Sequence, residues 1–260
     1  MDILGNNKKI YFASDVHLGM PSYEKGLWRE KLFVKWLDKI KSDAEEIYLL
    51  GDIFDFWYEY KRVVPRGFTR LLGKLSEICD SGIPVHFFTG NHDIWVFDYL
   101  QKETGVILYR KPLIKTINGK KFFLAHGDGL GPYDKKFKLM KSVFTNKIAQ
   151  WMFSRLHPNF SIAIGNYWSV SNRTKYTNPK FLGEDKEWLI LFAKSVLEKE
   201  HFDFFIFGHR HLPIEIMLNQ NSKYINLGDW LQSFTYGVFD GNNVSLEKFI
   251  DESSQTALID

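Results

Sequence analysis

Ile10-Tyr11-Phe12-Ala13-Ser14-Asp15-Val16-His17 is a short apolar run that ends in an aspartate and a histidine two residues apart. The same design recurs four more times along the chain. Ile47-Tyr48-Leu49-Leu50 leads into Gly51-Asp52-Ile53-Phe54-Asp55, and Val85-His86-Phe87-Phe88 into Gly90-Asn91-His92-Asp93. Phe122-Phe123-Leu124-Ala125 leads into His126-Gly127-Asp128, and Phe204-Phe205-Ile206-Phe207 into Gly208-His209-Arg210-His211. Apolar runs of this length, closed by Gly, Asp and Asn, read as buried strands. In open α/β sheets, side chains at the carboxyl ends of strands converge on one crevice. Asp, His and Asn recurring there predict a metal site gathered from distant parts of the chain.

Between the clusters the first half alternates strand and helix. Residues 25–41 predict a helix with Leu27, Leu32, Trp36 and Ile40 on one face, followed by a strand at 46–50. Residues 67–81 predict a second helix, with Leu71, Leu75 and Ile78 together and Gly82 as its C-cap, followed by a strand at 84–89. This alternation implies parallel neighbours joined by crossover helices. Strands are also expected at 121–125, 214–218, 223–227, 235–240 and 244–250, several joined by short polar turns that suit antiparallel pairing. The expected fold is α/β: a two-sheet mixed β-sandwich flanked by helices, forming a single domain over residues 1–260. Residues 131–200 are expected to form a helical insertion, or cap, within it.

Composition sets the outer bounds. At 260 residues and 45% hydrophobic, the chain can bury a sizeable core. A net charge of +3 and a pI near 8.7 suit an anionic substrate or surface but are too weak to imply nucleic acid. One cysteine, Cys79, precludes an internal disulfide and points to a reducing, cytoplasmic compartment. The first nine residues lack the apolar stretch of a signal peptide, and no apolar run approaches the roughly 20 residues of a spanning helix.

The insertion differs in character from the rest. Residues 135–156 predict one basic amphipathic helix, with Phe137, Met140, Phe144, Ile148 and Trp151 at three- and four-residue spacing. Lys135, Lys136, Lys138, Lys141, Lys147 and Arg155 are interrupted by no acid. Such a helix lies on an anionic membrane, caps a hydrophobic site, or packs on the main domain with a solvated lysine face.

The chemistry of the clusters is that of a metal centre. On a strand Asp15 and His17 would face the same way, as would His209 and His211. Mixed imidazole, carboxylate and amide ligation suits Mn²⁺ first, with Fe, Co²⁺ and Zn²⁺ compatible, and Ca²⁺ disfavoured because it prefers oxygen alone. Asp15, His17, Asp52, Asn91, His126, His209 and His211 make seven candidate ligands. With Asp52 shared, that number suits two divalent ions about 3.5–4 Å apart, the arrangement that serves in-line phosphoryl displacement.

As a set, the five clusters resemble those of the calcineurin-like metallophosphoesterases, over about residues 10 to 230. The resemblance implies that Asp15, His17, Asp52 and His211 hold one metal, and Asp52, Asn91, His126 and His209 the other. It implies catalytic roles for Asp52 and for His92, the latter beside the scissile phosphate. Ser14-Asp15-Val16-His17-Leu18-Gly19, Gly51-Asp52-Ile53-Phe54-Asp55-Phe56-Trp57 and the insertion after His126-Gly127-Asp128 further resemble the UDP-2,3-diacylglucosamine hydrolases of lipid A biosynthesis. That branch implies a nucleotide-lipid substrate cleaved at its pyrophosphate, and a peripheral position on the inner face of the cytoplasmic membrane. Its insertion would shelter acyl chains, with Trp151, Phe153, Leu156, Ile162 and Ile164 as candidate lining. Asn91, Arg155, Arg173 and Lys175 are the candidate substrate contacts. The best-known members of that branch carry Arg where this chain has His92, whereas histidine is the general superfamily pattern. The rival readings are the same chemistry on a soluble nucleotide or phosphoprotein, and an inactive scaffold that keeps the fold.

Overall fold

The computed structural model describes residues 3–131, 135–173 and 180–249. Two sheets stack face to face. In chain order the elements of the first are β1 (Lys9–Ala13), β2 (Ala44–Leu50), β3 (Val85–Phe88), β4 (Ile107–Tyr109), β10 (Thr235–Phe239) and β11 (Val244–Lys248). The second comprises β5 (Leu113–Ile117), β6 (Lys120–Leu124), β7 (Phe204–Phe207), β8 (Pro213–Asn219) and β9 (Ser222–Leu227). Strand order is β11-β10-β1-β2-β3-β4 in one and β5-β6-β7-β9-β8 in the other. β1 through β4 run parallel, as do β6, β7 and β9; antiparallel strands occupy the remaining positions.

Period-two alternation explains the layering. Ile10, Phe12, Tyr48, Leu50 and Phe88 point inward to meet Phe122, Leu124, Phe204, Ile206, Ile225 and Leu227 of the facing sheet. Tyr11, Ala13, Ile47, Leu49, Val85 and Phe87 point outward beneath α1 (Tyr23–Ile40) and α2 (Thr69–Asp80). On the far side, Phe123, Phe205, Phe207 and Tyr224 pack under Leu189, Ile190 and Ala193 of α7 (Trp188–Leu197). The result is helix, sheet, sheet, helix, with both faces of each sheet covered. α3 (Tyr99–Thr104) and the edge strands β4 and β5 add to the expected elements.

One expectation about the insertion is corrected. Residues 135–156 form not one helix but two, α4 (Lys135–Thr145) and α5 (Lys147–Phe153). Asn146 separates them: its backbone is extended, and its side chain accepts hydrogen bonds from the Ile148 and Ala149 amides as an N-cap. A short amide side chain that can satisfy orphan helix donors starts a helix better than it continues one. α6 (Pro158–Arg173) follows. α7, which lies inside residues 131–200, packs Leu189, Ile190 and Ala193 on the second sheet.

Candidate metal centre

The parallel strands β1, β2 and β3 of one sheet and β6, β7 and β9 of the other deliver their carboxyl ends to one rim of the sandwich. Beyond β1, the amides of Asp15, His17 and Leu18 bond to the carbonyls of Gly51, Asp52 and Ile53, which locks the first two clusters together. The Gly208 amide bonds to the His126 carbonyl within the second sheet, and the Trp230 amide, after β9, bonds to the Asp15 carbonyl, which joins the two sheets at this rim.

The ligand pairs converge for a different reason from the one expected. Asp15 and His17 lie past the end of β1, and His209 and His211 past the end of β7, so strand alternation does not align them. Instead Asp15, His17, Asp52, His209 and His211 all adopt the left-handed conformation, at φ 54°, 50°, 53°, 68° and 52°. That conformation is uncommon for residues with a side chain, although Asp and His tolerate it better than most. Each turn swings a side chain off the sheet plane and into the crevice. Glycines make room beside them. A Cβ on Gly90 would collide with Asp52 Oδ1, and one on Gly208 with Asp15 Oδ2.

Two donor groups form. In the first, His211 Nε2 lies 3.4 Å from Asp15 Oδ1 and 3.3 Å from His17 Nε2, and His17 Nε2 lies 3.7 Å from Asp15 Oδ1. In the second, His126 Nε2 lies 3.2 Å from Asp52 Oδ2 and 3.3 Å from Asn91 Oδ1, with His209 in the same group. Asp52 Oδ2 is also 3.8 Å from His17 Nε2, so one oxygen faces both groups. Metal–ligand bonds of about 2.0–2.2 Å leave neighbouring donors roughly 3–3.5 Å apart, which is the spacing found here.

The rear faces of the rings show which nitrogen turns toward the crevice. His126 Nδ1 lies 2.8 Å from the Leu50 carbonyl, which can only accept, so Nδ1 carries the proton and Nε2 offers its lone pair. His17 Nδ1 faces Asp55 Oδ1 at 3.4 Å, and His211 Nδ1 faces Asp229 Oδ2 at 3.4 Å. Among the described residues Asp15 Oδ1 finds no hydrogen-bond donor although it is fully buried. Lone pairs aimed at each other in a buried space need a cation between them. Protons compete with a metal for the same lone pairs. Burial would lower the His126 imidazole, yet the Asp52 carboxylate beside it pushes it up to about 10, so a metal at Nε2 would displace a proton. Burial pushes the Asp15 carboxyl up, and burial with His126 nearby holds His209 well below the ordinary imidazole value. The donor set thus fits divalent metal ions.

His92 stands at the edge of this centre, its ring edge-on to His17 at 4.8 Å between centroids. Its amide donates to Asp52 Oδ1 at 2.8 Å. Asp93 is buried and accepts from the Gly90 amide at 2.6 Å and the Ile53 amide at 2.9 Å, so it pins the second and third clusters together. Asp229 was not among the expected residues. It follows β9 in Ile225-Asn226-Leu227-Gly228-Asp229, an apolar run closed by Gly-Asp, the same signal as Gly51-Asp52. Asp229 backs His211 and accepts the amides of Leu231, Gln232 and Ser233.

The expected substrate contacts fare unevenly. Asn91 lies in the centre. Arg155 is exposed, with its guanidinium 4.8 Å over the Trp151 ring, and among the described residues nothing ties it to the histidines. Arg173 ends α6, and Lys175 lies outside the described residues. Phe153 is held between Tyr58 and Trp95 at 4.7 Å from each, which helps to dock α5 on the core. Trp151, Leu156 and Ile164 are exposed instead. Ile162 lines a cleft of about 540 Å³ that runs from Asp55 between α1, α6 and residues 65–70, with Leu18, Phe56, Phe68, Arg66 and Arg70 also on its walls.

Comparison with known proteins adds an independent line. The sequence profile of the family described as Calcineurin-like phosphoesterase matches residues 8–213. The chain is 38% identical over 257 residues to a UDP-2,3-diacylglucosamine hydrolase of Porphyromonas gingivalis, covering 94% of this chain and 98% of that protein. It is 27% identical over 231 residues to a protein of the same name from Histophilus somni, covering 86% and 92%. Among solved structures, the phosphoesterase Yfce from E. coli matches with a TM-score of 0.43 and 18% identity over 92% of each chain.

Proposed function

The chain belongs to the calcineurin-like phosphoesterase family, and from that membership we propose that it hydrolyses the pyrophosphate of UDP-2,3-diacylglucosamine to UMP and 2,3-diacylglucosamine 1-phosphate. The observation that carries the substrate is the 38% identity to a hydrolase of that name along nearly the whole of both chains. The seven donors would divide as Asp15, His17, Asp52 and His211 on one ion and Asp52, Asn91, His126 and His209 on the other, with Mn²⁺ the first choice. When bound, such a pair supplies Lewis acidity to the phosphoryl oxygens and an activated water.

The chain's own residues do the rest. Asn91 reaches from the centre toward a phosphoryl oxygen. His92, fixed by its amide bond to Asp52, places an imidazole beside the scissile phosphate, where it donates to a phosphoryl oxygen and offsets charge on it. Histidine suits this place, since an imidazolium, like a guanidinium, donates to phosphate oxygens. The cleft beside Asp55 has apolar walls and two arginines, which suits a ligand that is both lipid and anion. The insertion acts as a cap through α4, α5 and α6. Its outer surface exposes Leu139, Val143, Ile148, Trp151, Met152 and Phe160 beside Lys138, Lys147 and Arg155, a pattern suited to the anionic inner face of the cytoplasmic membrane. No helix among the described residues is long and apolar enough to cross a membrane.

Product analysis tests the proposal. Mn²⁺-loaded protein is expected to release UMP from the lipid nucleotide, far faster than it cleaves a UDP-sugar or an aryl phosphate. In H₂¹⁸O the label is expected in UMP, which marks attack at the phosphorus next to uridine. Absence of UMP together with rapid turnover of soluble esters would defeat the substrate assignment in favour of a soluble nucleotide or phosphoprotein. No turnover of any ester would favour the scaffold.

A further inference from the structure

Behind His92 stands a hydroxyl that comes from the insertion. Ser169 of α6 is buried, donates to Asp55 Oδ2 at 2.7 Å and lies 3.1 Å from His92 Nδ1. The Asp55 carbonyl is 2.9 Å from the same nitrogen. A carbonyl only accepts, so Nδ1 carries a proton, and Nε2, which donates once the ring is an imidazolium, is the nitrogen left to face the phosphate. Because the serine's single hydrogen is given to Asp55, its oxygen can only accept toward His92. Nδ1–H is therefore held between two acceptors, one from the core and one from the insertion. Asp55 Oδ1 meanwhile faces His17 Nδ1 at 3.4 Å and His92 Nδ1 at 3.8 Å.

Ser169 is the last of three small residues spaced four apart on α6, a spacing that places them on one face of the helix. Each meets the core segment that runs from Asp55 to Tyr60. Ser161 Oγ bonds to the Tyr60 hydroxyl, and Ser161 is buried. Gly165 lies against the Phe56 ring so closely that a Cβ would collide with it. Ser169 completes the row at Asp55. A side chain at Gly165 would lift the helix, and Ser169 would then lose both partners.

We propose that Ser169 is a positioning residue: the small face of α6 seats the insertion on residues 55–60, and that seating fixes the orientation of His92. A histidine with only the Asp55 carbonyl behind it is free to rotate about its side-chain bonds. The second acceptor restricts it to the ring plane in which Nε2 points to the phosphate. The cap that shelters the lipid is thereby also the part that aligns the histidine. The inference rests on the reading of His92 given above.

A double-mutant cycle on the full chain tests it, with the lipid nucleotide as substrate and bound metal measured in every variant. Ser169→Ala is expected to keep its metal and a KM within about twofold, with kcat down about tenfold, the scale of one lost hydrogen bond. Ser169→Thr, which restores the hydroxyl, is expected to recover most of the rate. In the His92→Ala background, Ser169→Ala is expected to cost nothing more. Wild-type kcat in Ser169→Ala, the same tenfold loss in both backgrounds, or loss of metal would each overturn the positioning role. If His92→Ala itself turned over at the wild-type rate, the reading of His92 would fall, and this inference with it. A slow His92→Ala beside a normal Ser169→Ala would sink only the inference.

Discussion

The rim places five candidate metal ligands at φ between 50° and 68°, which costs about 1 kcal/mol or more per residue relative to ordinary backbone. Those turns persist because main-chain bonds between the loops hold them, and because Asp93 draws the amides of Gly90 and Ile53 toward one carboxylate. At this scale chemistry and conformation select the same side chains, since Asp and His both ligate metals and tolerate the left-handed region. Asp52→Ala removes the oxygen that faces both donor groups. It is expected to abolish turnover, by at least about 10³-fold, and to lower bound metal. His92→Ala is expected to keep the metal and slow kcat by about 10²–10³-fold. Metal content and kcat measured on the same preparations check both; a near-normal rate in Asp52→Ala would contradict the shared-ligand assignment. Gly90→Ala forces a methyl into Asp52 Oδ1, so it is expected to lose metal although it removes no ligand. Elemental analysis of the purified variant reads this directly.

At the scale of elements, the two sheets are joined by more than apolar contact. Glu46 on β2 receives Lys115 of β5 at 2.7 and 2.8 Å, together with the Tyr48 hydroxyl and the His86 ring at 3.2 Å. Burial would raise its carboxyl, but these partners prevail and hold it at about 2, below the ordinary value of 4.5. A carboxyl depressed on folding contributes stability that is complete above its unfolded pKa and is lost as pH falls through its folded one. Glu46→Gln is therefore expected to lower stability by roughly 1–2 kcal/mol near neutral pH, with allowance for solvent screening. The deficit is expected to shrink as pH falls from about 4.5 toward 2. Thermal melts of both proteins across that range check the sign; a deficit that grew in acid would contradict it.

Element by element, legibility tracks burial and length. β1, β2, β3, β6 and β7 announce themselves because strands covered on both faces read as unbroken apolar runs. α1 and α2 are legible through their apolar spacing. β4 has three residues and β5 alternates weakly at a half-exposed edge, so neither leaves a strong pattern. Asn146 looks like one more polar residue of a helix until its side chain is seen to cap the next one. Ser169 was beyond reach for another reason: its role depends on where α6 docks, and a serine in a helix carries no mark of that. Asp229 could have been found, because Gly228-Asp229 after an apolar strand repeats the pattern that exposed Asp52.

The whole molecule is a sandwich whose parallel strands all end at one rim, with a helical insertion seated over it. The family match over residues 8–213 and the clusters along the chain point to the same place by different routes, one by similarity and one by geometry. The core supplies the donors, and the insertion supplies Ser169 and the apolar surface. A two-metal centre at this rim is tested by the number of Mn²⁺ ions bound per chain, titrated into chelator-stripped protein with activity followed in parallel. Two equivalents, with activity rising only as the second site fills, is the predicted result. Full activity at one equivalent, or with none bound, would contradict it.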